Sequence, residues 1–345
     1  MEEKHLSRLL ALIEKNYIYI LSLPTVKAAI LKGDENYSLL NDKVAMRKLN
    51  AYLAANSQRF EITLLNAVQE EAEVAAVETQ KTINKHISKL AGTRAAEITI
   101  EKATQTAREA AKLARDNFNA ERNGFNVSER VWRTYGSIPK EAEVMIENAI
   151  KEGKSAEDIA RELKKFLKQP QRLYRRVKNP NTGKLEWSRA AKEYHPGQGV
   201  YRSAYKNAMR LARTEINKAY KEAEWNGYQN NDQVYGFEVV LSNNKENRCE
   251  TCIRLAGVYP KWFKWHAWHP QCRCRMVPVM MPREDWKKLL KLRFEGRESE
   301  FKPNFIDDLP PQFTTYLIEK KERILGAASL PYWLEDNKEK LKNYL

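Results

Sequence analysis

The chain has 345 residues, with 60 Lys and Arg against 45 Asp and Glu and a formal net charge of +15. A hydrophobic fraction of 42% supplies packed cores, and 30% charged residues of mixed sign fit long solvated helices better than disorder. No apolar run approaches the roughly eighteen residues of a membrane span, and the charged start with its apolar stretch over 17–26 lacks a secretory cleavage pattern, so the expectation is a soluble protein of two or three domains in a reducing cytoplasm.

Residues 1–55 read as a broken helix. Leu9, Leu10, Leu12, Ile13 and Tyr17 form a helical stripe, and Pro24 and Gly33-Asp34 interrupt the helical pattern beyond it. Over 57–123 the pattern predicts one or two long helices. Phe60, Leu64, Val68 and Ala72 step by four, Ile83, Ile87 and Leu90 continue the face, Gly92 marks a break, and Arg122-Asn123-Gly124 ends the run. Such helices do not hold themselves by propensity, so a bundle or a partner surface must cover them. Pro139 lies in the first turn of a further helix. Ser155 caps the next one, with Asp158 three residues on, and Ile159, Leu163, Phe166 and Leu167 form its apolar face.

Residues 170–200 are a basic insertion punctuated by Gln169-Pro170, Asn179-Pro180-Asn181-Thr182-Gly183 and His195-Pro196-Gly197-Gln198-Gly199, which predicts a loop or hairpin. A helical stretch occupies 201–226. Val234, Gly236, Phe237, Val239 and Leu241 then alternate as a strand over 233–242, and 276–280 reads as a second strand. The remainder, 282–345, is helix-prone and carries Pro310-Pro311 and a Pro331-Tyr332-Trp333 corner.

The charge is concentrated. Residues 161–222 hold 17 Lys and Arg against 5 Asp and Glu, interleaved with Phe166, Tyr174, Trp187, Tyr194, Tyr201 and Tyr205. Basic charge mixed with aromatics fits phosphate contacts with stacking, and a solvated lysine-rich surface is the plainer alternative. The candidate nucleic-acid-binding residues are Arg172, Arg175, Arg176, Lys178, Lys184, Arg189 and Arg202.

All four cysteines fall within 249–274, as Cys249-Glu250-Thr251-Cys252 and His269-Pro270-Gln271-Cys272-Arg273-Cys274. Two donors at i and i+3 let a tight turn aim both side chains at one ion, and a second pair closes a tetrahedral site of the zinc-knuckle or ribbon kind. The candidate metal ligands are Cys249, Cys252, His269, Cys272 and Cys274. Cys249, Cys252 and Cys272 are common to both readings, and either His269 or Cys274 completes the set. Disulfides would need an oxidising compartment, and four reduced thiols without metal are the remaining alternative. A closed four-ligand site argues for structural rather than catalytic zinc. The Trp262-Phe263-Lys264-Trp265-His266-Ala267-Trp268 cluster reads as a small core shielding that site.

The sequence has no Gly-rich phosphate loop, no GxSxG, no HExxH and no kinase motif set. One order of motifs does stand out. Leu211-Ala212-Arg213-Thr214-Glu215-Ile216 precedes the strand that leads into CxxC, a Gly-Val-Tyr segment, HPxCRC and a last strand. This resembles the phage Mu protein F-like minor head protein family, the phage head morphogenesis domain, whose start the helix at Ser155-Ala156-Glu157-Asp158 also resembles. The likeness covers roughly 130–280, and the 170–200 insertion is longer than the family pattern.

The resemblance implies a non-catalytic minor capsid protein, present inside the virion head after assembly in the host cytoplasm. Its partners would be the portal protein, other head proteins and packaged double-stranded DNA bound without sequence preference, and no membrane. Its work would be head assembly, DNA packaging or delivery. The family's motif positions fall on Arg213, Glu215, Cys249, Cys252, His269, Cys272 and Cys274, with Arg213 or Glu215 bonded to the loop near the metal. The rivals are a zinc-containing nuclease or toxin-type enzyme using His266, His269, Asp232, Glu238 or Glu250, and a zinc-module DNA-binding regulator. The expected fold class is α+β: a mainly helical N-terminal arm over 1–125 that docks on a partner, a small α+β domain with the Cys/His site over 126–281, and a helix-prone C-terminal tail over 282–345.

Overall fold

The computed structural model describes residues 2–93, 100–121, 126–178, 182–195, 201–327 and 330–344. The helices are α1 (Glu2–Ser22), α2 (Pro24–Lys32), α3 (Lys43–Ala91), α4 (Ile100–Asn119), α5 (Val127–Gly136), α6 (Ile138–Glu152), α7 (Ala156–Lys168), α8 (Arg189–Glu193), α9 (Ala204–Gln229), α10 (Glu250–Arg254), α11 (Arg283–Phe294), α12 (Pro311–Leu325), α13 (Tyr332–Glu335) and α14 (Lys338–Leu341). The strands are β1 (Val177–Lys178), β2 (Leu185–Glu186), β3 (Val234–Val240), β4 (Gly257–Pro260) and β5 (Arg275–Met280). The class is α+β with a helical N-terminal region, as the sequence indicates. The helix end at Arg122–Gly124 and the Asn179-Pro180-Asn181 and Pro196–Gly199 parts of the insertion lie outside the described residues.

The chain forms two compact units, Met1–Asn66 with Asn119–Arg213, and Ala67–Phe118 with Thr214–Leu345, where the sequence alone suggests three consecutive pieces. The physical reason is that the apolar stripes find cover far along the chain. Leu9, Ile13 and Tyr17 of α1 are fully buried, and α1 packs on α6 and α7. Phe60, Leu64, Val68 and Ala72 of α3 are also buried. These stripe residues therefore lie inside the fold. Among the described residues no single helix is long and apolar enough to cross a membrane; α1 and α2, bent by 64° at Leu23, pass that test only as a pair, and most of their large apolar residues are buried, with Ile18 and Leu31 exposed.

Local signals place the first unit's elements. Gly33, at φ +65°, ends α2, and its N–H reaches the Ala29 and Ile30 carbonyls. Ser155 and Asp158 form a reciprocal capping box on α7. Three glutamates of α6 are buried, and each caps backbone of another segment. Glu143 accepts from Leu39 N at 2.7 Å, Glu147 from Ala190 N at 3.0 Å, and Glu141 from Ala204 N at 2.9 Å, at the start of α9. Glu141 also accepts the Tyr17 hydroxyl at 2.5 Å.

Burial pushes the Glu141 carboxyl up to about 7 against the pull of those two donors. Its proton is thus held more tightly folded than unfolded. That contribution is complete below pH 4.5, the ordinary carboxyl value, and is lost as pH rises through about 7. Glu141→Gln removes it. The stability difference between Glu141→Gln and wild type should move in favour of the variant by about 3 kcal/mol from pH 4.5 to pH 8, measured by urea unfolding. A difference that stays flat with pH would contradict the raised carboxyl.

In the second unit, β4, β3 and β5 form an antiparallel sheet in that order. Its register pairs Val239 with both Gly257 and Met276, and Val240 with Arg275. β4 was not foreseen; the Gly-Val-Tyr segment is too short to show alternation. Gly236 on the central strand leaves no room for a side chain, since a Cβ there would stand 2.7 Å from the Tyr259 carbonyl and 2.9 Å from Ile306. One face of the sheet builds an aromatic core of Phe237, Tyr259, Phe263, Trp265, Trp268, Phe313 and Trp333, with Cys252, Cys272 and Cys274 inside the same cluster.

Candidate metal centre

The sheet register brings the two ligand pairs together. β3 leaves the sheet at Val240 opposite Arg275, the first residue of β5. The chain after β3 passes a polar turn to Cys249, while Cys274 stands immediately before Arg275. Both pairs therefore hang from the same end of adjacent strands.

Each pair is shaped by its own turn. Cys249 is the N-cap of α10, and its Sγ accepts from Cys252 N at 3.4 Å. His269-Pro270-Gln271-Cys272 closes on itself through Cys272 N to the His269 carbonyl at 3.2 Å. Pro270 presets the first corner, and Gln271 takes φ +61°, a left-handed conformation that costs a non-glycine residue about 1 kcal/mol. Its N–H donates to Thr214 Oγ1 at 3.2 Å, which ties the turn to α9.

His269 Nε2 stands 3.2 Å from Cys249 Sγ and 3.1 Å from Cys252 Sγ, and Cys252 and Cys272 Sγ are 3.8 Å apart. Thiolates sharing a tetrahedral ion at about 2.3 Å stand about 3.8 Å from each other, so this edge already fits one. The donors form two triads, Cys249–Cys252–His269 and Cys252–Cys272–Cys274, each with its atoms within 4.8 Å of one another. Cys252 belongs to both. His269 Nδ1 lies 2.8 Å from the Pro270 carbonyl, the outer hydrogen bond that orients a metal-ligating imidazole. Cys252, Cys272 and Cys274 are buried, Cys249 is exposed, and all four are free thiols. The cluster can hold a metal ion.

Thiol chemistry reflects this crowding. Hydrogen bonds from Cys252 and Cys274 hold the Cys272 thiol far below its ordinary range, with Lys221 adding to the effect. Cys252 is pushed up by the same pairing with Cys272 and Cys274. Cys274 is relieved by Cys252, but Cys272 and burial outweigh that and raise it to about 12. A metal ion would replace the protons these sulfurs compete for.

The surroundings are dry and aromatic. Phe263, Trp265 and Trp268 are buried, as expected of a shielding core, while Trp262 is half-buried. The 282–345 segment completes that core. Trp333 packs edge-on to Phe313 at 5.3 Å and to Trp268 at 5.9 Å. Asn337 accepts from Lys264 N at 2.8 Å and donates to the Lys264 carbonyl at 2.7 Å. Nothing in the sequence marks this contact, because its partners lie 73 residues apart.

Of the positions read as a motif pair, Arg213 faces Glu2 and Glu3 in the first unit, and Glu215 pairs with Lys218 at 3.3 Å in the second. Thr214, between them, makes a bond to the ligand turn. Lys221, two helical turns on, donates to the Cys272 carbonyl at 3.5 Å and was missed, since a single lysine on a basic helix carries no signal. Of the residues suggested for an enzyme, His269 belongs to the cluster and Glu250 directly follows Cys249. His266 is buried with Nδ1 3.3 Å from Asp336 Oδ2, whereas Asp232, Glu238 and Glu250 are exposed.

The candidate nucleic-acid residues all belong to the first unit. Arg176, Lys178 and Lys184 are exposed, the last two on or beside the β1–β2 hairpin, and Arg172 is exposed on the turn before it. Arg175 is paired with Glu152, and Arg189 with Glu147 at 2.9 Å and Glu143 at 3.3 Å. Arg202 lies over the Tyr174 ring at 5.4 Å. Among the interleaved aromatics only Trp187 and Tyr201 are exposed; Tyr174, Tyr194 and Tyr205 are core residues, so the stacking surface is smaller than the sequence suggested.

No known protein family, curated protein or solved structure matches this chain.

Proposed function

We propose that the chain is a non-catalytic minor head protein of a phage, portal-associated and internal to the head, whose second unit is stapled by one structural zinc. The observation that carries this reading is the meeting of its motifs at one place: the ARTE helix touches the ligand turn through Thr214, and CxxC and HPxC converge on Cys252. Zinc suits a donor set of thiolates and imidazole, and Cys249, Cys252, His269 and Cys272 would hold it tetrahedrally with Cys274 alongside. A set of four protein donors leaves no position for water, which favours a structural role over hydrolysis. A regulator would need exposed, uncommitted basic side chains beside the metal. Arg254 of α10 pairs with Glu319, and on α9 Lys218 pairs with Glu215 while Lys221 is buried.

The experiment is co-purification from phage heads combined with elemental analysis. The expected result is about one zinc per chain, recovery with the portal protein, and no DNA cleavage. Metal-dependent cleavage that His269→Ala stops without unfolding the protein would hand the assignment to the enzyme reading.

Packaged DNA is the proposed polyanion for the first unit. Arg176, Lys178 and Lys184 are the residues to test, as they have no acidic partner among the described residues. Replacing all three by Gln should weaken duplex binding equally across sequences and flatten the salt dependence by a slope of about 3. Gel shifts in roughly 50–200 mM salt check both, the range over which phosphate-driven binding falls steeply.

A further inference from the structure

Three cations lie close together on or against the second unit's part of α9. Lys218 Nζ pairs with Glu215 at 3.3 Å, and Lys264 Nζ with Glu222 at 2.5 Å. Lys221 differs from both. It is 4% exposed, and no carboxylate stands within ion-pair distance of it among the described residues. Its Nζ donates to the Cys272 carbonyl at 3.5 Å and lies over the Trp265 ring at 4.8 Å. The acidic groups it faces are first the sulfurs of Cys272 and Cys274, then Glu224 and the sulfur of Cys252. Burial pushes the Glu224 carboxyl up to about 8, so at neutral pH it is mostly uncharged and leaves the sulfurs as the balancing groups. An ammonium group buried in an aromatic core is costly unless a negative charge balances it.

We infer that Lys221 is the internal counter-charge of the metal centre, a positioning residue that strengthens the hold of the thiolates on a dication. This rests on the zinc reading above and deepens it. A dication held by three thiolates and a neutral imidazole carries one net negative charge. One lysine neutralises it from the buried side of the site, opposite the solvent that reaches the exposed Cys249. The same charge favours a thiolate-rich donor set over one with more neutral donors. The ring of Trp265 below the ammonium and the carbonyl of Cys272 beside it fix the charge close to the sulfurs.

The test uses the full chain loaded with zinc, with the metal drawn off by a chelator of known affinity. Lys221→Met keeps the length of the stem and removes the charge. It should weaken zinc binding by about 10–100-fold, the usual consequence of losing an outer partner of a metal ligand, and Lys221→Arg should restore most of it. Thermal unfolding of the zinc-free protein separates charge from packing. If Lys221 acts as a counter-charge, Lys221→Met leaves the zinc-free form at least as stable as wild type while the zinc-loaded form loses stability. Equal loss in both forms would make Lys221 a packing residue and overturn the inference, as would zinc binding by Lys221→Met as tight as wild type. Cobalt in place of zinc gives a second readout, because its sulfur charge-transfer band reports the thiolates directly; a band unchanged in intensity and in chelator resistance in Lys221→Met counts against the role. If wild type binds no metal, the zinc reading and this inference fall together. If wild type binds zinc and Lys221→Met binds it as tightly, only the inference falls.

Discussion

Cys252→Ser should strip the zinc from the chain and melt the second unit while leaving the first intact. Cys252 is the donor common to both triads and is fully buried, so its loss breaks every four-ligand set the cluster offers. Structural zinc in small sites binds with about 10–16 kcal/mol, most of it felt as folding energy, which rivals the whole stability of a domain. Elemental analysis and hydrogen exchange resolved by segment check this together: protection should collapse across β3, β5 and the 249–274 loops and persist in α1 and α6. The other substitutions sort the ligands. Cys274→Ser should keep the metal, and His269→Ala should lose it. Retention of zinc by His269→Ala with its loss from Cys274→Ser would exchange the two assignments. Unchanged exchange in Cys252→Ser would remove the metal from the sources of stability altogether.

Trp333→Ala should cost about 3–5 kcal/mol, the range for deleting a buried large aromatic. Trp333 is 2% exposed and meets Phe313, Trp268 and Tyr316 edge-on. The cavity has no simple way to collapse, since the rings around it also pack on Tyr259 and Phe263. Chemical denaturation of the zinc-loaded protein measures the loss. The position lies far from every ligand in sequence, so a large effect would identify 330–341 as part of the metal unit. A loss within about 1 kcal/mol would mean the segment merely rests on the surface.

Much of this fold could be read from local chemistry. Ser155 and Asp158 announced the start of α7, Gly33 the end of α2, and Gly92, at φ +66°, the end of α3. β3 was legible from its alternation and the ligand cluster from its spacing, because both signals lie within a few residues. What escaped depends on partners that sequence spacing cannot reveal. The buried glutamates of α6 look like a solvated helix face until the backbone N–H groups of Leu39, Ala190 and Ala204 reach them. Lys221 looks like surface charge until the thiols are placed beside it. The aromatics between 166 and 205 looked like stacking platforms, yet Tyr174, Tyr194 and Tyr205 are core residues of the first unit, which their period alone could not distinguish.

The clamp between Asn337 and Lys264 has a consequence for how the protein is made. During synthesis the CxxC and HPxCRC pairs leave the ribosome well before residues 333–341, so the thiols have emerged while Trp268 and Phe313 still lack the Trp333 ring. The nascent second unit can gather metal in that interval, but its core closes only after the chain has run on for dozens of residues. Non-local closure of this kind is slow and leaves apolar surface open meanwhile. Premature termination anywhere between 282 and 333 would therefore release a polypeptide with the full ligand set and an unsealed aromatic face, a species bound for aggregation or proteolysis rather than for assembly.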